Sequence, residues 1–420
     1  MEFLQETPKQ GVICNYGIAD HFKTSYLAVD FIMPLTLYNA TGMSLLAGVM
    51  SRGCRAFPQM DLISRYLAKN YGASFSINAS KAGELEILTF SFTYLDNEYA
   101  IDQEDIRKAI TDLFRQMVFD PLLEGEGFRQ DYVEQEKNNL ADKITGLFND
   151  KRVYALERCK ALMCEGEAFG IHETGDLQTL EDFHAGSLYA FFQKLMAEAY
   201  VVISYVGKSR DRFLDTLAEG FPARTGPMPE TEIREKHLAP REIIDPMDLN
   251  QSKLNLGYRL GPAALKNGAA CRLFNVLYGG SATSKLFMNV RERLSLCYYC
   301  SSTIDRLKNV MFVISGVEAK KYEEARREIE SQLAAVAEGR FTDDEFENAK
   351  AYLIDSIRGF TDSEGALASM MLAGTLRGEL KTPEQEMQEI AAVTREDLIA
   401  IAKEAALDTV YFLKGVHNEE

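Results

Sequence analysis

The chain has 420 residues, 63 acidic against 46 basic, giving a formal charge of −17, and 46% of its residues are hydrophobic. At about 150 residues per domain this implies two or three domains, each able to bury a core. The acidic balance excludes a nucleic-acid binder, which needs a basic face.

No segment approaches the apolar length of a bilayer crossing, and "MEFLQETPKQ" lacks the basic and apolar regions of an export signal. A cytoplasmic protein with no membrane partner is expected, its seven cysteines free thiols. The five histidines are His21, His172, His184, His237 and His417, and no two share a helical face. A histidine-built metal centre is not expected.

Along the chain, "SYLAVDFIMPL" from Ser25 reads as a buried strand. "TGMSLLAGVMSRGC", Thr41 to Cys54, reads as an apolar helix running into a glycine stop, with no side chain suited to catalysis. In "LTFSFTYL", Leu88, Phe90, Phe92 and Tyr94 alternate with Thr89, Ser91 and Thr93, the signature of a strand with one buried face. Ile106, Ile110, Leu113 and Phe114 make a helical stripe. The cysteines of "YALERCKALMC" read as helix-packing thiols, "HETGD" at His172 as a loop, and "YVVISYVG" at Tyr200 as a strand.

Five of the eleven prolines fall between Phe221 and Asp248, where neither a helix nor a central strand can run through. Residues 221–248 therefore read as a linker between domains 1–220 and 249–420. In the second half, "GGSATSK" lacks the Gly-Lys-Ser/Thr ending of a phosphate loop. Cys297 and Cys300 have metal or redox spacing, but on a regular strand residues three apart point to opposite faces, so no shared site is expected. Tyr322, Ala325, Ile329, Leu333 and Val336 form another helical stripe, and "TVYFLKG" at Thr409 a closing strand.

The halves repeat. With Phe128 on Phe341, an offset of 341 − 128 = 213, Glu134 meets Glu347, Lys137 meets Lys350, Leu140 meets Leu353, Asp142 meets Asp355, Ile144 meets Ile357 and Gly146 meets Gly359. Strands followed by helices in each copy imply an α+β fold of two like domains, with helices on one face of each sheet.

This order of elements, with "GASFSINAS" after the first helix, resembles the pitrilysin/insulinase family of zinc peptidases, and the resemblance spans nearly the whole chain. It implies two homologous domains of the LuxS and mitochondrial processing peptidase type, each an antiparallel-rich sheet. Active members carry His-x-x-Glu-His on the first helix, which sets two histidines on one zinc and a glutamate on its water. Here those positions fall on Ser44, Ala47 and Gly48, and the later glutamate ligand falls near Lys143. A hydroxyl, a hydrogen atom and an ammonium make a very poor ligand set, so the resemblance implies a member without zinc.

In "YGGSATSKLFMNVRERLSLCYYCSS", Arg291 and Tyr298 match the family's Arg–Tyr pair in spacing. The resemblance implies that they reach a substrate bound at a partner's zinc and stabilise its oxyanion. It also implies a peptide-binding edge strand over 74–80, with Ser74, Ser76 and Ile77 in place of the usual pattern. Two uses follow. One is a non-catalytic subunit beside a zinc-bearing paralogue, in a heterodimer that handles peptides, with homodimers forming in isolation. The other is a scaffold or peptide-binding protein similar to the inactive-like member of pairs associated with elongation factor P modification.

Overall fold

The computed structural model describes residues 1–101, 104–210, 213–234 and 239–416, so His237 and His417 lie outside the described residues. The chain forms two compact units. One comprises Met1–Thr145, Ile171–Glu230 and Phe360–Pro383, the other Gly146–Gly170, Thr231–Gly359 and Glu384–Glu420.

The first unit is built on a sheet of β1 (Glu2–Lys9), β2 (Val12–Ile18), β3 (Thr24–Pro34), β4 (Ser74–Ala82), β5 (Leu85–Leu95) and β6 (Tyr200–Gly207). Their order is β1-β2-β6-β3-β5-β4, antiparallel except for β2 beside β6. The alternation on β5 turns Leu88, Phe90 and Phe92 into one core beneath α1 (Leu37–Ser51) and α2 (Ile106–Phe119). Aromatic edges interlock there, with Phe31 5.7 Å from Phe90 and Phe90 5.7 Å from Phe114. Helix α1 is apolar all round because it is enclosed, with ten of its residues between Asn39 and Met50 buried. Thr36 caps it, accepting from the Asn39 amide. Antiparallel to α1 runs α3 (Gln130–Gly146). The pairing is visible where Tyr132 donates to the Pro58 carbonyl and Glu136 meets Gly48 and Arg52.

The second unit holds β7 (Arg241–Met247), β8 (Ser252–Arg259), β9 (Cys297–Asp305), β10 (Val310–Val317) and β11 (Ala406–Gly415), ordered β9-β10-β8-β11-β7. Only β7 and β11 pair in parallel. The proline-rich segment thus ends in an edge strand, where Pro246 removes no ladder bond that a central strand would need. One face of the sheet packs Leu254, Leu256, Val313 and Phe412 under helices spanning Gly268–Asn275, Tyr322–Ala337 and Arg395–Glu404.

Both units are α+β with antiparallel-rich sheets, as expected. The second face of each sheet is also covered, by one helix from the other half of the sequence. The helix α4 (Lys151–Met163) lies on β8 and β11 of the second unit, packing Ala155, Cys159 and Met163 against Phe312 and Tyr411. Its counterpart α5 (Glu364–Arg377) lies on β6, β3 and β2 of the first, packing Leu367, Ala368 and Met371 against Val206. Their starts differ by 364 − 151 = 213, the offset of the repeat. The units therefore do not coincide with 1–220 and 249–420: 146–170 and 360–383 change places. Among the described residues no helix is long and apolar enough to cross a membrane.

Candidate functional site

The positions of the family's zinc motif lie in the first unit on α1. Ser44 donates its hydroxyl hydrogen to the Glu173 carbonyl at 3.0 Å. Ala47 is buried. A Cβ on Gly48 would stand 2.6 Å from Glu136 Oε2, so the carboxylate fills the space a histidine would need. Glu136 is already engaged by Arg52, with Nε at 2.6 Å and Nη2 at 2.5 Å from Oε1, and Arg52 also lies over the Tyr132 ring. Lys143 is exposed on α3, seven residues beyond Glu136 on the same face and about 10 Å further along the axis, towards the Ser44 end of α1.

These residues do not fit a zinc ion: a donor hydroxyl, a hydrogen atom and an ammonium stand at the ligand positions, and the Glu136 carboxylate beside Gly48 is neutralised by a guanidinium. Among the described residues no group of three or more His, Cys, Asp or Glu side chains could hold a metal. Sequence reading missed Glu136 and Arg52. Their signal was spacing, since Arg52 is one turn beyond Gly48 and Glu136 two turns before Lys143.

Behind this site, Glu86 on β5 is fully buried and neither carboxylate oxygen has a hydrogen-bond partner. Burial pushes its pKa up to about 9, with Glu173 adding and Lys81 opposing. At neutral pH it is an uncharged acid.

Strand β4 is the free edge of the first sheet. Ser74 is exposed, Ser76 shares a 2.8 Å hydrogen bond with Ser91, and Ile77 is buried in the core. Among the described residues its outer backbone groups pair with no strand, which is the condition for adding an extended peptide.

In the second unit, Arg291 lies on a wide π-type turn, Leu286–Arg293, an irregularity common at functional sites. Its guanidinium is half exposed, 4.6 Å from the Phe287 ring, and its carboxylate neighbour Glu292 is 3.4 Å away. Tyr298 is 60% exposed on the edge strand β9. Cys297 pairs with Val317 and Tyr299 with Gly316, so Tyr298 is the extra residue of a bulge and turns away from the ladder.

The same bulge overturns the expectation for Cys297 and Cys300. The inserted residue restores both thiols to one face, where they are buried in the same core. The Cys300 contact holds Cys297 below the ordinary thiol range, with Arg291 and Lys321 acting the same way. Cys159 and Cys164 are packing thiols, as read, and burial pushes Cys164 up to about 12.

Comparison with known proteins follows the same lines. Residues 182–353 match the family described as Peptidase M16 inactive domain. The chain is 32% identical over 413 residues to a Bacillus subtilis protein named probable inactive metalloprotease YmfF, covering 97% of each. It is 23% identical over 283 residues to the uncharacterized zinc protease YmxG of the same organism, covering 66% of this chain and 68% of that one. A crystal structure of a conserved protein from Enterococcus faecalis V583 matches at a TM-score of 0.91 and 28% identity, covering 100% of both chains. A peptidase M16 inactive domain from Pseudomonas fluorescens shares the fold at a TM-score of 0.80 and 17% identity, again over 100% of both.

Proposed function

Because the chain belongs to the M16 family of metallopeptidases, as an inactive member, we propose that it is the non-catalytic subunit of a zinc endopeptidase and pairs with a zinc-bearing paralogue. The partner supplies the metal and the general base. This chain supplies Arg291 and Tyr298, whose guanidinium and phenol donate hydrogen bonds to the peptide backbone and to the oxyanion formed as water attacks. The free edge of β4 offers a second contact, with main-chain bonds to an extended peptide.

The observation that carries this reading is the contrast between the two sets of residues. Ser44 and Glu136 are spent on internal partners, and Gly48 faces a carboxylate. Arg291 and Tyr298 are exposed, and the Tyr298 hydroxyl makes no hydrogen bond among the described residues. A bulge that lifts a tyrosine out of an edge ladder costs pairing, and contact with a ligand is a use for it.

The test is co-expression with the zinc-bearing paralogue and turnover of an internally quenched peptide. Arg291→Ala and Tyr298→Phe should each lower kcat/KM about 10-fold or more, the loss of a transition-state hydrogen bond, with complex formation intact. Unchanged turnover would refute the role. A pull-down that returns only non-peptidase proteins, among them enzymes of elongation factor P modification, would favour a scaffold instead.

A further inference from the structure

On the α4-covered face of the second sheet, polar side chains converge without the partners burial ordinarily demands. Gly316 on β10 pairs with Lys253 on one side and Tyr299 on the other, so these three form one row across the sheet. Only glycine fits between them, since a Cβ there would stand 2.5 Å from the Tyr299 ring. Two cations lie over the Tyr299 ring, Arg152 at 4.5 Å and Lys253 at 5.9 Å from its centroid.

Lys253 is 91% buried, the complement of its 9% exposure. Its ammonium donates to Gln251 at 2.5 Å, and desolvation holds its pKa below the ordinary lysine value, with Arg152 opposing its charge and Asp150 favouring it. Neither Lys253 nor Arg152 has a carboxylate within ion-pair distance among the described residues, although the chain has a large acidic excess. Asp150 is committed to capping α4, accepting from the Arg152 and Val153 amides. The Tyr299 hydroxyl is buried and has no partner. In the next row, Asn255 is fully buried and both ends of its amide lack partners.

We propose that Lys253, Arg152, Tyr299 and Asn255 form a carboxylate-binding site. The four offer an ammonium, a guanidinium, a phenol and an amide, all donors, and two like charges beside one ring are relieved by an anion between them. Exposed Arg152 forms the mouth, and buried Lys253 the floor. Tyr299 directly follows Tyr298 on the edge strand, which sets the site beside the residue assigned above to hold a peptide. The natural ligand is therefore the C-terminal carboxylate of such a peptide, an assignment that rests on the peptide-handling function proposed above.

The experiment uses the full chain with 13C-methylated lysines, the Lys253 resonance being identified by its loss in Lys253→Met. Added acetate should shift that resonance saturably, and Arg152→Gln should weaken the effect about tenfold, the loss of one charge-assisted contact. No shift overturns the site. A short neutral peptide with a free C-terminus should displace acetate where its C-terminal amide does not. Displacement by an aspartate-bearing amide instead would reassign the ligand to an acidic side chain. If acetate binds but no peptide displaces it, the carboxylate site stands and the peptide-handling reading fails.

Discussion

Replacing Glu86 with glutamine should remove a pH dependence from folding. In the folded chain the acid is buried, unpartnered and raised from an ordinary 4.5 to about 9. The unfolded chain releases that proton near 4.5 while the folded chain keeps it. The contribution to stability is therefore full below pH 4.5 and falls as pH rises, until about pH 9. One proton is worth about 1.4 kcal/mol per pH unit, so by pH 7 the wild type has lost about 3 kcal/mol that the glutamine variant retains. A buried glutamine amide also lacks partners, so the diagnostic quantity is the slope, not the absolute stability. Urea unfolding followed by circular dichroism at pH 5, 6, 7 and 8 gives that slope, and the wild type should fall faster than the variant by about 1.4 kcal/mol per unit. Parallel curves would refute the account of a neutral Glu86 behind Ser44.

The Cβ of Gly48→Ala would stand 2.6 Å from Glu136 Oε2 and push that carboxylate away from Arg52, whereas in a Glu136→Ala background the substitution should stabilise α1 by about 1 kcal/mol. Chemical denaturation of the double-mutant cycle should show a coupling of about 1–3 kcal/mol, and additivity would deny the contact. Arg259 is buried between Glu167 at 2.5 Å and Asp408 at 2.8 Å, so Arg259→Met should cost about 3–5 kcal/mol by the same measurement. Gly316→Ala should displace the Tyr299 ring and cost about 1–3 kcal/mol, with loss of the acetate response of Lys253 as a second readout.

Much of this architecture was legible because its signals are local. The alternation of Leu88, Phe90 and Phe92 named a buried face, and the 213-residue offset reappears in the helix starts Gln130 and Asp343, with 343 − 130 = 213. What escaped depends on pairing between distant residues. A bulge at Tyr298 is a matter of register against Val317 and Gly316, and period-two reasoning put Cys297 and Cys300 on opposite faces because it assumes an unbroken ladder. Helices α4 and α5 have ordinary apolar stripes, and nothing in a stripe says which sheet it will cover. Glu136 was overlooked because its significance lies in Gly48, 88 residues away, since 136 − 48 = 88.

Buried side-chain groups without hydrogen-bond partners occur in both units, among them Glu86, Tyr94 and Gln116 in the first and Asn255, Tyr258 and Tyr299 in the second. A donor or acceptor left without a partner in a folded chain costs free energy, so folding alone favours satisfying each one. At the zinc-motif positions of α1 the polar groups are paired, Ser44 with a carbonyl and Glu136 with Arg52, while the buried Glu86 behind them stays unpartnered and neutral. In the second sheet the buried Tyr299 hydroxyl on β9 and the buried Asn255 amide on β8 lack partners, whereas Tyr298, and Arg152 on α4, are exposed to solvent. For Tyr299 and Asn255 the carboxylate proposed above would supply the missing acceptor and offset that cost in the bound state.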